Sequence, residues 1–253
     1  MKHMYDVGNS GDKSFLTEKY LYASDKERLV NLVKEMMDEA LKSIMTAVES
    51  LDEADDSKAV SVIERDDVID DMEEKIDQEC LYTIAMRQPM REDLRFVYAV
   101  TKLITDLERI GDLSESIANC SLKLLMIGES KESLYFNENK PASDEILSMS
   151  SQIEAMFRKL IAAFINEDED AAHEVMEMCA LFNETGEKAV NNLVIFASKK
   201  KLSEVLDIFT NVLWIVRHLA RIGDHIKNIA ERICFIATGV TPEVLKKKTK
   251  KAL

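Results

Sequence analysis

Two stretches, Leu107-Glu-Arg-Ile-Gly-Asp-Leu-Ser-Glu-Ser-Ile-Ala-Asn119 and Leu219-Ala-Arg-Ile-Gly-Asp-His-Ile-Lys-Asn-Ile-Ala-Glu231, are versions of one another 112 positions apart. Leu, Arg, Ile, Gly, Asp, Ile and Ala coincide in seven of thirteen columns, a density that chance does not supply. The shared apolar columns recur at three- and four-residue spacing, the period of a helix with one buried stripe. Each copy is followed by a glycine in nearly the same register, Gly128 and Gly239, placed to end its helix. The same helix carried twice implies a duplicated unit.

Working outward, the same periodicity marks two further helices ahead of each copy. Over residues 26–51 the apolar positions Leu29, Val33, Met36, Ala40 and Ile44 form one stripe. A second stripe runs from about Ala59 through Ile63, Ile69, Met72, Ile76, Leu81 and Ile84 to Pro89, where a helix must end or kink. The motif helix follows over 91–126. Residues 129–142, with Pro141, break the pattern and read as a linker, and helices resume at 143–165, 168–198 and 202–238. The expected organisation is a leader over 1–20, a three-helix repeat over 21–128, the linker over 129–142, a second three-helix repeat over 143–240, and a basic tail over 241–253. The fold class is all-α, with six long helices.

Composition agrees. Seven Gly and three Pro in 253 residues are too few turn formers for a sandwich, barrel or doubly wound sheet. Lys plus Arg number 33 against 47 Asp plus Glu, and the net charge of −14 repels phosphate backbones, which argues against nucleic acid as a partner. Cys80, Cys120, Cys179 and Cys234 show no CxxC spacing and read as buried free thiols of a cytoplasmic protein. No apolar run is long enough to span a bilayer. The lysines of the tail, Lys246 to Lys251, read as a solvated end, with anionic lipid as the alternative contact.

Gly111 and Gly223 fall mid-helix, where glycine costs about 1 kcal/mol relative to alanine. A close helix crossing offsets that cost, and a ligand site beside the crossing is the sharper reading. Glu108, Asp112 and Glu115 line one face of their helix, and Asp66, Asp67, Asp70, Asp71, Glu73 and Glu74 crowd the preceding one. Like charges at i, i+4 repel by a few tenths of a kcal/mol per pair. Such a set suits a hard or borderline metal ion, or else forms a solvated acidic face. No Glu-x-x-His occurs, which argues against a di-iron carboxylate oxidase, and no phosphate loop or nucleophilic triad is visible. His218 and His225 share a face, and packing is the simpler reading, with His225 beside Asp224 the better ligand candidate, in a remodelled second site with Cys179. Arg87, Arg91, Arg95 and Arg109 are the anion-facing candidates, with Arg91 and Arg95 expected to pair with carboxylates of the second helix or else to meet an acidic partner. Met36, Met37, Met72, Met86 and Met156 read as core.

The segment Arg87-Gln-Pro-Met-Arg-Glu-Asp-Leu-Arg95, followed by Leu107-Glu-Arg-Ile-Gly-Asp112 and echoed by Arg221-Ile-Gly-Asp-His225 with Asn228-Ile-Ala-Glu231, resembles the PhoU family of phosphate-signalling accessory proteins. The resemblance implies two three-helix bundles related by a pseudo-twofold. It also implies E/DxxxD motif pairs holding a metal ion or multinuclear cluster of iron or zinc. Carried onto this sequence, Asp66 and Asp70 join Glu108 and Asp112 in the first site, with the register of Asp67 and Asp71 left open. In the second, Ala220, Cys179 and Asn183 replace three of the four carboxylates, so only Asp224 survives and the site is expected to be degenerate. The implied role is non-enzymatic: repression of phosphate uptake and of the starvation response through the phosphate ABC transporter ATPase and a sensor histidine kinase. Membrane association is then peripheral, through those partners, and homodimerisation is left open. The rival is a helical metal-dependent enzyme acting on phosphate compounds.

Overall fold

A computed structural model describes residues 10–130 and 142–240. Among them are seven helices and no strand: α1 (Ser10–Asp52), α2 (Asp56–Ile63), α3 (Asp66–Arg87), α4 (Glu92–Ser130), α5 (Ser143–Asn166), α6 (Glu169–Ser198) and α7 (Leu202–Thr238). At 1.5 Å per residue the 43 residues of α1 make a rod of about 65 Å. The rods form two tandem bundles, α1 to α4 and α5 to α7. These are joined where α4 crosses α7 and α1 meets α5. One apolar core runs through both, from Leu29 and Val33 to Ile233 and Ile236.

The helix expected over 59–89 is two helices. The apolar stripe passes through Glu64 and Arg65 unbroken, but Arg65 N–H turns back to the Val62 carbonyl at 3.2 Å and its guanidinium pairs with Glu39 of α1 at 2.7 Å. The break gives α3 a first turn at Asp66 and Asp67, so the acidic run begins at a helix N-terminus, where the dipole favours negative charge. Upstream, Asp55 caps α2 by accepting from the backbone N–H of Ser57 and Lys58. Downstream, α3 ends before Pro89 as expected, with Gln88 in the left-handed region.

Three further expectations are corrected. Leu81, Ile84 and Met86 are exposed, because Ile69, Ile76, Cys80 and Thr83 form the inward stripe of α3. Gly128 does not stop α4, which runs on to Ser130, whereas Gly239, at φ +73°, does cap α7 and donates to the Phe235 carbonyl. The chain is helical from Ser10, so the expected leader is partly α1. Residues 1–9, most of the linker and the basic tail lie outside the described residues.

The four cysteines are free and buried. Burial pushes Cys80 up to about 12 and Cys179 and Cys234 up to about 11, so they stay thiols at neutral pH. Among the described residues no helix is long and apolar enough to cross a membrane.

Candidate metal centre

The site begins with a missing side chain. A Cβ on Gly111 of α4 would sit 3.1 Å from Ile69 Cδ1 and 3.5 Å from Asp66 Oδ1. Glycine there seats the first turns of α3 against α4. One turn further along α3 is Asp70, and flanking Gly111 on α4 are Glu108 and Asp112. One carboxylate oxygen from each of Asp70, Glu108 and Asp112 lies within 4.8 Å of the others. Oxygens bound to one ion at 2.0–2.6 Å lie no more than about 5 Å apart, so the spacing suits a shared cation.

The electrostatics point the same way. Glu108 Oε2 is buried without a hydrogen-bond partner, with Arg109 Nε at 3.2 Å as an ion pair. Arg109 also donates from Nη1 to Asp112 Oδ2 at 2.8 Å, so one cation serves two carboxylates. Burial first, then the charge of Asp112, raises both Asp70 and Glu108 above their ordinary values. Asp66 is pushed up to about 6 by burial, then by Glu115, Asp70, Asp112 and Asp67. A divalent cation would relieve this repulsion and coordinate the Glu108 oxygen that makes no hydrogen bond, so these residues fit a metal.

Of the sequence candidates, Asp70, Glu108 and Asp112 are brought together, and Asp66 stands beside them, near enough to feel Asp70 and Asp112 but outside the tight group. Asp67 and Asp71 are exposed and outside it. In the second repeat Asp224 is exposed, and among the described residues no second group of this kind forms. The counterpart of Ile69 there is Phe182, whose Cε1 would lie 2.6 Å from a Cβ on Gly223, so packing fills that crossing. His225 joins neither Asp224 nor Cys179. Its Nδ1 meets Asp106 Oδ1 of α4 at 2.8 Å, and Asn228 Nδ2 donates to the same oxygen at 3.1 Å. Sequence reasoning missed Asp106, although it directly precedes the first motif copy and its two partners lie inside the second.

The arginines sort differently from expectation. Arg87 donates to Asp25 at 2.7 Å, and Arg95 donates to the Ile236 carbonyl at 3.0 Å, not to carboxylates of the second helix.

The Asp66 shift has a testable sign. The folded chain favours protonated Asp66, so the group's contribution is full below 3.8 and is lost as pH rises to about 6. In chelator-treated protein, the stability of wild type relative to Asp66→Asn is expected to fall between pH 4 and 6.5. With metal present the trend reverses, because ligands must shed protons to bind. A chelated difference flat with pH, measured by thermal melts, would count against this.

The family comparison adds to the geometry. The PhoU domain model matches residues 33–121 and again 146–233. The phosphate-specific transport system accessory protein PhoU homolog of Pseudomonas aeruginosa is 34% identical over 200 residues, covering 78% of this chain and 77% of its own. The homolog from Clostridium acetobutylicum is 31% identical over 220 residues, covering 87% and 95%. In structure, the PhoU of Streptococcus pneumoniae superposes with a TM-score of 0.77 at 23% identity, over 87% of this chain and 98% of its own, which bears on fold alone. The PhoU of Pseudomonas aeruginosa does so with 0.69 at 29% identity, over 89% and 100%. Two successive domain matches on two successive bundles, with relatives aligned over most of their length, place this chain in the PhoU family.

Proposed function

We propose that the chain is a non-enzymatic regulator of phosphate transport whose first repeat is a metal-held scaffold. The relatives' names, accessory proteins of the phosphate-specific transport system, support the physiological setting. The observation that carries the mechanism is the convergence of Asp70, Glu108 and Asp112 from two helices that meet at Gly111. Asp70 would hold the ion from α3 and Glu108 and Asp112 from α4, with Asp66 beside them as a fourth carboxylate. Bound there, iron or zinc supplies positive charge and ties the two helices together. The protein's own part is to fix the angle between α3 and α4 and so the shape of the exposed α3 face, with Leu81, Met86 and, past its end, Met90, offered to the transporter ATPase and the sensor kinase.

Elemental analysis of protein purified without chelator or affinity metal tests this. At least one ion per chain is expected in wild type and none in Glu108→Ala/Asp112→Ala. Metal absent from both overturns the scaffold. Turnover of a phosphomonoester by loaded protein, abolished in Glu108→Ala, would replace it with an enzyme.

A further inference from the structure

The duplicated motif contains one column, its arginine, that the core uses in neither repeat and that, among the described residues, pairs with carboxylates only in the first. Its leucines, isoleucines and alanines pack, and its glycines admit α3 and α6. Arg109 and Arg221 do none of this, and both line a cleft of about 300 Å³ where α4 crosses α7, together with Asp112, Leu113, Ser116 and His218.

The pseudo-twofold shows what is unusual about this cleft. Under the 112-residue offset, Asp106 corresponds to His218, Leu113 to His225 and Ser116 to Asn228. At one side of the pseudo-twofold axis, therefore, Asp106, His225 and Asn228 close into a clasp. At the other, the equivalent positions hold His218, Leu113 and Ser116, which make no such clasp, and the space stays open.

Three of the polar groups that line it have no partner. Arg221 has no ion pair or hydrogen bond among the described residues. Ser116 has none either, unlike Ser114 close by, which donates to the Ile110 carbonyl at 2.8 Å. The Nδ1 of His218 is buried and unpartnered, and its ring is held against Trp214 with centroids 5.7 Å apart. Arg109, the fourth donor, is occupied by Glu108 and Asp112. Guanidinium forks with a hydroxyl and an imidazole match a tetrahedral oxyanion.

We propose that this cleft binds a phosphate group, and that metal in the neighbouring carboxylate centre strengthens the binding. A protein of net charge −14 attracts no anion at long range, and Asp112 stands in the wall. With a cation held by Glu108 and Asp112 their charge would be offset, and Arg109, now paired with both, would be free to turn its fork to the anion. The Asp112 carboxylate also discriminates. Phosphate that keeps a proton at neutral pH donates its P–O–H to it, whereas sulfate has nothing to donate. The dependence on metal rests on the role proposed for Asp70, Glu108 and Asp112, and the cleft itself does not.

Calorimetric titration of the full chain, metal-loaded and metal-stripped, with inorganic phosphate, glycerol 3-phosphate and sulfate separates the possibilities. Expected is phosphate binding by loaded protein, at least about tenfold weaker in Arg221→Gln, where a charge-assisted bond is lost. Ser116→Ala should weaken it less, and both variants should keep the wild-type metal content and melting temperature. Stripping the metal should weaken phosphate binding in wild type. Preference for glycerol 3-phosphate would identify a phosphomonoester as the occupant, preference for inorganic phosphate the free ion. Sulfate binding as well as phosphate, or Arg221→Gln leaving phosphate affinity intact, overturns the site. Metal bound with no phosphate uptake overturns it while leaving the scaffold standing, and affinity indifferent to metal removes the coupling.

Discussion

Glu108→Ala/Asp112→Ala is expected to erase the rise in melting temperature that metal gives the wild type. A ligand at about 100 times its Kd stabilises the fold by about 2.7 kcal/mol, which for a chain of this size is roughly 5–10 °C. The variant should show no rise at all, because two of the three converging carboxylates are gone and Asp70 alone is a surface aspartate. Without metal the order inverts. Removing two mutually repelling carboxylates, one of them with a buried, unpartnered oxygen, leaves the chelated variant at least as stable as chelated wild type. Differential scanning fluorimetry with and without metal checks both signs. A variant destabilised equally in the two conditions would make the carboxylates structural and the metal incidental.

The second large effect belongs to the other repeat. Phe182 is fully buried, and its ring lies where a Cβ on Gly223 would be, at 2.6 Å. Phe182→Ala should cost about 3–5 kcal/mol, the usual range for emptying such a site. Gly223→Ala alone should also destabilise, because overpacking costs about 1–3 kcal/mol against a helix-propensity gain of about 1 kcal/mol. In the Phe182→Ala background the same glycine change should become neutral or stabilising, since the ring it would strike is gone. Denaturant melts of the four chains close the cycle, and additive effects would show that ring and glycine do not meet.

These two crossings show what a sequence exposes and what it hides. The motif helices, the glycine crossings and the spacing of Glu108 and Asp112 are intrahelical facts, fixed by 3.6 residues per turn, and were legible. The register of α3 was not, since Asp66/Asp70 and Asp67/Asp71 have the same spacing, and only the angle between α3 and α4 brings Asp70 to Glu108 and Asp112, with Asp66 beside them. Leu81 and Ile84 misled because apolar residues at helical spacing look inward by default. The inner stripe is completed instead by Cys80 and Thr83, whose small side chains suit close packing. The break before Asp66 was hidden by an apolar stripe that continues across it, although the Asp55 cap and the acidic first turn were signals in plain view. Contacts between repeats, such as Asp106 with His225, depend on how α4 crosses α7, which no local pattern encodes.

The clasp of Asp106, His225 and Asn228 closes only one side of the pseudo-twofold axis. In a symmetric pair of separate subunits every contact occurs twice, so a latch at one end must be matched by a latch at the other. Fusing the two units into a single chain lifts that requirement. Asp106, His225 and Asn228 can therefore tie α4 to α7 on one side alone, and the other side, released from copying them, is free to keep Arg221, Ser116 and His218 around a cleft instead.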